Sequence, residues 1–221
     1  MRDEIELVID FPAQIASQLQ NNKIDIGLVP VAVIPSLKEH HIISDYCIAC
    51  DGEVGSVCLF SDVPLAEIKT VLLDYQSKTS VELLKILLKE HWRISPGLVS
   101  GNKNYEKDIA GTTAGLVIGD RGLVQRSKSK YIYDLGLAWK QMTGLPFVFA
   151  AWVSNKKLSQ SFVDEFAEAN SFGFLHLDEV IGNNPFTAFD LEAYYTSFIK
   201  FRLNAEMLQA AKLFIGKMGQ Y

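Results

Sequence analysis

The chain has little of what most cofactor-dependent or exported proteins display. It has only three cysteines in 221 residues, Cys47, Cys50 and Cys58, and an odd count argues against a disulfide framework. A zinc site would need a fourth ligand from His40, His41, His91 or His176, none of which stands at a usual metal spacing from Cys47 and Cys50. The thiols are therefore read as strand residues, and no metal is expected. No apolar run reaches the roughly 18 residues of a membrane span, and Met1-Arg2-Asp3-Glu4-Ile5-Glu6 lacks the regions of a signal peptide. A cytoplasmic location without membrane attachment is expected. Positive charge is also scarce: the net charge is −5, and the densest basic stretch, Arg126-Ser127-Lys128-Ser129-Lys130, is a short cationic loop. Nucleic acid is an unsuitable partner, because that affinity rests on neutralising phosphates. Walker and dinucleotide glycine loops, Gly-x-Ser-x-Gly and His-Glu-x-x-His are all missing. Nucleotide cofactors, serine hydrolysis and zinc hydrolysis lose their usual signatures.

What is present is an ordinary globular composition, 48% hydrophobic and 21% charged. Apolar segments of strand and helix type alternate along it. Lys23 to Val31 reads as a buried strand that Pro30 must terminate, since proline has no N–H for the ladder. Further strands are expected at Ile5–Asp10, Ile42–Ser44, Cys47–Ala49, Ser56–Ser61, Thr70–Asp74, Ala114–Ile118, Tyr131–Asp134 and Leu145–Val153. Helices are expected at Pro12–Gln20, from Ser77 onward with Thr79 and Glu82 at capping-box spacing, and at Ser159–Asn170, Leu191–Phe201 and Ala205–Met218. Such alternation predicts an α/β class with mainly parallel sheets. Two lobes are expected, residues 1–60 with 148–221 and residues 61–147, with a ligand in the cleft between them.

Chemistry has few places to sit. Pro30 ends a strand aimed at a crevice, and Thr79 and Ser80 lie beside the free N–H groups of a helix start, which favours anions. Gly119-Asp120 forms a turn after a buried strand, and Ser56 opens a crossing strand. Pro30, Ser56, Thr79, Ser80, Gly119 and Asp120 are the candidate substrate-binding residues, with Ser56 and Asp120 as catalytic candidates.

Asp25-Ile26-Gly27-Leu28-Val29-Pro30-Val31, Ile48-Ala49-x-Asp51-Gly52 with Ser56-Val57, Thr79-Ser80-Val81, Ile118-Gly119-Asp120, Tyr133-Asp134-Leu135-Gly136 and Thr143-Gly144-Leu145-Pro146-Phe147 together resemble the menaquinone-biosynthesis family MqnA. The resemblance implies a fold like the type II periplasmic binding proteins and chorismate dehydratase activity. That reaction yields 3-[(1-carboxyvinyl)oxy]benzoate and water and needs no cofactor. The expected partner is the small dicarboxylate chorismate; monomer and homodimer both remain open. A solute-binding module without chemistry, or the later naphthoate-forming enzyme of the same pathway, are the alternatives. Members of the family usually carry an upstream strand and a Ser-Tyr-x-Asn-Thr-like loop facing the ligand, which this sequence does not show. The resemblance therefore implies a poorly active polypeptide and an active, upstream-extended one.

Overall fold

The computed structural model describes residues 5–220. The expectations resting on Met1 to Glu4, including the reading against a signal peptide, lie outside the described residues. Two sheets organise the fold. The first contains β1 (Ile26–Pro30), β2 (His41–Cys50), β8 (Phe147–Ser154) and β9 (Lys200–Arg202) in the order β1-β8-β2-β9. The second contains β3 (Val57–Ser61), β4 (Thr70–Leu73), β5 (Gly97–Ser100), β6 (Thr113–Ile118) and β7 (Tyr131–Asp134) in the order β5-β4-β6-β3-β7. Helices α1 (Pro12–Gln20), α2 (Lys78–Ile86), α3 (Gly119–Gln125) and α4 (Leu135–Thr143) alternate with these strands. Helices α5 (Gln160–Leu175), α6 (Leu177–Asn183), α7 (Leu191–Ala193) and α8 (Ala205–Lys217) follow β8.

Local chemistry explains most of these elements. The apolar run Phe147-Val148-Phe149-Ala150-Ala151-Trp152-Val153 makes β8 the central strand, paired on both sides by β1 and β2. Pro30 is the last residue of β1, opposite Ala150, and a 3-10 turn over Val31–Ser36 takes the chain away. In α2 the Ser77 hydroxyl accepts from the Ser80 N–H, and Leu83, Leu84 and Ile86 are buried. In α4 Asp134 is the N-cap, and Gly144 closes the helix in the left-handed region at φ 75°. A single apolar cluster joins the two sheets, from Val29 through Val71, Leu83 and Leu116 to Trp139, Phe147 and Phe214.

The structure corrects several expectations. The sheets are not mainly parallel: β4 pairs in parallel with β5 and β6, and every other ladder is antiparallel. Hydrophobic runs report burial on both faces, which antiparallel strands covered by helices also satisfy. Ile5–Asp10 is exposed and outside any strand, with Ile9 at 88% exposure. The two short strands expected between Ile42 and Ala49 are one strand, β2, whose register with β8 shifts between Ile42 and Cys47. The helix expected over Leu191–Phe201 ends as a π-turn at Tyr194–Phe198, and β9 follows. Finally, Ser77 rather than Thr79 caps α2, while Glu82 pairs with Lys85 at 2.7 Å.

Candidate functional site

Strand order brings the chemistry to one edge of the second sheet. Parallel β4 and β6 are neighbours, so their carboxyl ends, Asp74 and Gly119-Asp120, emerge together. Antiparallel β3 starts where β6 ends, and β7 ends beside it, which adds Ser56 and Asp134. The Asp134 carboxylate accepts from the backbone N–H groups of Val54 (3.1 Å), Gly55 (2.8 Å) and Leu137 (3.0 Å), so one anion fixes the crossing loop before Ser56 and caps α4. The Gly119 N–H donates to the Ser56 carbonyl at 2.8 Å, from a backbone at φ 62° that favours glycine. A Cβ at Gly122 would sit 2.7 Å from that same carbonyl oxygen, so α3 can press on Ser56 only because the residue is glycine.

Ser56 is buried, and its Oγ lies 2.8 Å from the Tyr194 hydroxyl. Burial pushes the Tyr194 phenol up to about 12, the Ser56 hydrogen bond opposing the shift, and it is neutral near pH 7. Asp120 is exposed and opens on a hollow of about 440 Å³ lined by Asn183, Asn184, Phe186 and Tyr195.

The remaining candidates form a second cluster. The Thr79 hydroxyl accepts from the Ala32 N–H at 3.2 Å, tying α2 to the turn that follows Pro30. The Ser80 hydroxyl accepts from Ser77 Oγ at 2.8 Å, and both Thr79 and Ser80 are fully covered. A hollow of about 480 Å³ beside them is lined by Ala32, Asp74, Tyr75, Ser77 and Lys78. Arg121 joins the two clusters. Its guanidinium reaches the buried Asp74 carboxylate at 2.6 Å, Glu106 at 2.6 Å and the Gln76 amide oxygen at 2.9 Å. Tyr105 donates to Asp74 at 2.9 Å. This network settles the Asp74–Ser77 loop against the Gly119 turn.

The sequence model of a family described as "Menaquinone biosynthesis" matches residues 1–220. The chain belongs to this family. A chorismate dehydratase of Thermus thermophilus is 30% identical over 184 residues, 71% of this chain; the chain spans 65% of that relative's length. Among solved structures, an Archaeoglobus fulgidus protein covers 97% of the chain (85% of its own) at 18% identity and TM-score 0.74. The alkanesulfonate-binding protein SsuA of Xanthomonas axonopodis pv. citri covers 93% (80% of its own) at 12% identity and TM-score 0.54. At these identities the structures bear on fold alone, and they place the family member among periplasmic-binding-protein-like folds.

Strand ends and turns pointed to Ser56, Gly119 and Asp120, and the structure brings these three to one edge; Thr79, beside Ser80, is tied to the turn that follows Pro30 in the other cluster. Sequence reasoning missed Tyr194. Its only signal is a helical stretch from Leu191 in which Tyr194 and Tyr195 interrupt the apolar pattern. Asp134 stood in a recognised motif without a role, and the three N–H groups it accepts supply one. Cys47, Cys50 and Cys58 are free and buried, and the described residues contain no cluster of three or more metal-ligating side chains. No helix among them is long and apolar enough to cross a membrane.

Proposed function

We propose that this protein is a chorismate dehydratase of the lyase class, acting in a crevice between residues 1–60 with 148–221 on one side and residues 61–147 on the other. The single observation that carries the reading is family membership across residues 1–220, together with its chorismate dehydratase relative. The edge built from Ser56, Gly119 and Asp120 is compatible with it. In the reaction the C–H bond at the ring carbon bearing the enolpyruvyl ether breaks. Its electron pair enters the ring as the neighbouring hydroxyl leaves, and proton and hydroxide depart as water. Aromatisation drives the step, so the protein chiefly has to assist proton removal. Donors directed at the ring carboxylate stabilise charge spreading onto it, each worth ~3 kcal/mol when well placed.

The hydroxyl of Ser56 is proposed as such a donor, and Asp120 as the acidic group nearest the hollow. Pro30, Thr79 and Ser80 are proposed to shape the opposite wall, because both hydroxyls are engaged within the protein. All four histidines take other places: His41 pairs with Glu39, His176 meets the Phe172 carbonyl, His91 lies beside Trp92 and His40 is exposed. This motivates a substrate-assisted proton transfer to the enolpyruvyl carboxylate. Under it Asp120→Asn keeps most of its turnover; loss of turnover with intact binding would assign the base to Asp120 instead. The deciding experiment is to incubate the protein with chorismate and follow the ultraviolet spectrum. An aromatic benzoate product supports the dehydratase; an unchanged spectrum with retained chorismate binding makes it a solute-binding module or an impaired enzyme.

A further inference from the structure

Two hydroxyls carry two protons, and only one can lie between Ser56 Oγ and the Tyr194 oxygen 2.8 Å away. Whichever group donates, the other hydroxyl's proton has no acceptor among the described residues. Ser56 is only 4% exposed, so water is a poor substitute when the spare proton is on the serine; when the serine donates, the spare proton lies on the half-buried Tyr194. The pair is thus a donor in search of an acceptor, held beside Gly119, on whose open side a Cβ would meet nothing within 4 Å.

The way Tyr194 arrives makes this more than a chance contact. Its π-turn leads through Ile199 into β9 on the first sheet, whereas Ser56 opens β3 on the second. The hydrogen bond therefore crosses from one sheet's territory to the other's. Aromatic packing holds the turn in place. Phe189 meets Phe198 edge-on at 5.5 Å, the Arg126 guanidinium lies 5.7 Å over the Phe189 ring, and Phe198 closes over Gly55, whose Cβ would come within 3.2 Å of it. Asp120 and Tyr195 line the adjoining hollow.

We propose that Tyr194 is a substrate-binding residue that forms, with Ser56, a two-hydroxyl clamp for one carboxylate of a small dicarboxylate. The proposal rests on the dehydratase reading for the ligand's identity, and on the geometry alone for its chemical class. The carboxylate oxygen accepts the proton left over by the pair, and the phenol, neutral at working pH, remains a donor. No group of this clamp changes its covalent state.

The test uses the full chain, with Tyr194→Phe, Ser56→Ala and the double variant. Calorimetric titration is run with chorismate and with isophthalate, an inert benzene-1,3-dicarboxylate, alongside chorismate kinetics and urea unfolding without ligand. Tyr194→Phe is expected to weaken both anions about ten- to hundredfold, the loss of one hydrogen bond to a charged group. Its KM should rise, its urea midpoint should stay near wild type, and the double variant should bind no worse than the weaker single one. Wild-type affinity for both anions in Tyr194→Phe overturns the clamp, as does a lowered urea midpoint with unchanged KM. A wild-type protein that binds neither anion overturns it too. If wild type leaves chorismate unconverted but Tyr194→Phe loses isophthalate, the clamp stands and the protein is a solute-binding module or an impaired dehydratase. Turnover with a wild-type-like Tyr194→Phe upholds the dehydratase and overturns the clamp.

Discussion

Helix α2 and helix α5 carry similar hydrophobic content, yet they are held very differently. Five of the residues of α2 are buried, and its first turn is engaged by Ser77 and by the Ala32 N–H; α5 is longer and buries none. The same contrast extends outward, because α6 and α7 also have no buried residue while β3 is buried along its whole length. Aromatic faces attach the α5 to α7 region, as in Tyr46 stacked on Phe174 at 4.9 Å and Trp152 edge-on to Phe166 at 5.0 Å. The buried edge at Ser56 thus comes from the second sheet, and the lightly held region brings Tyr194 to it. Such a division suits a site that must admit and release its ligand.

Large-to-small substitutions break the comparison most directly. Trp139 is fully buried, packs edge-on to Phe147 at 5.3 Å and Phe214 at 6.2 Å, and donates its indole N–H to the Pro146 carbonyl. Trp139→Ala should cost about 3–5 kcal/mol in urea unfolding. Phe166→Ala, in α5, should cost about 1 kcal/mol. Equal costs would show that α5 belongs to the same cooperative core. Asp134→Ala ranks next: it leaves three N–H groups without their charged acceptor and should cost about 3 kcal/mol. It should also weaken ligand binding, since the Val54–Gly55 loop positions Ser56.

How far the sequence could be read follows the same line between the two regions. Where burial comes from continuous apolar runs, as in Ala114–Ile118 or Phe147–Val153, the strands were legible, and α1 was found at its observed ends. Pairing direction was not, because a residue buried on both faces carries no mark of its neighbour's polarity. β9 is three residues long, too short for any periodicity. The candidate residues of the second sheet were visible as chain positions, Gly119-Asp120 as the turn after a buried strand and Ser56 as the start of a crossing strand. Tyr194 was not visible: its role depends on Ser56, 138 positions away, and on a helix that turns into a strand at Ile199.

Amide hydrogen exchange sharpens the contrast without altering a residue. Backbone amides of α5 to α7 should exchange about two orders of magnitude faster than those of α2 and β6, by mass spectrometry of native protein. Addition of chorismate should slow exchange around Tyr194 more than in α5, because in the proposed clamp that turn meets the ligand and α5 does not. Uniform protection across the chain would remove the distinction between wall and closing segment.

The smallest effect separates the two regions by their response to alkali. Burial pushes the Cys47 thiol from 9.0 up to about 12, and the Tyr194 phenol from 10.0 up to about 12. Both folded values are raised, so the unfolded chain loses these protons first. Their contribution is therefore complete below pH 9 for the thiol and below pH 10 for the phenol, and is lost as pH climbs toward 12. Cys47→Ala should flatten the fall of stability from pH 9 upward, and Tyr194→Phe should flatten it only from pH 10. If local opening of the Tyr194 turn precedes global unfolding, the phenol will ionise from the opened state and Tyr194→Phe will leave the slope unchanged. In that case the tyrosinate absorbance of wild type should rise before its urea midpoint falls, which would identify the turn as an independently moving part of the site.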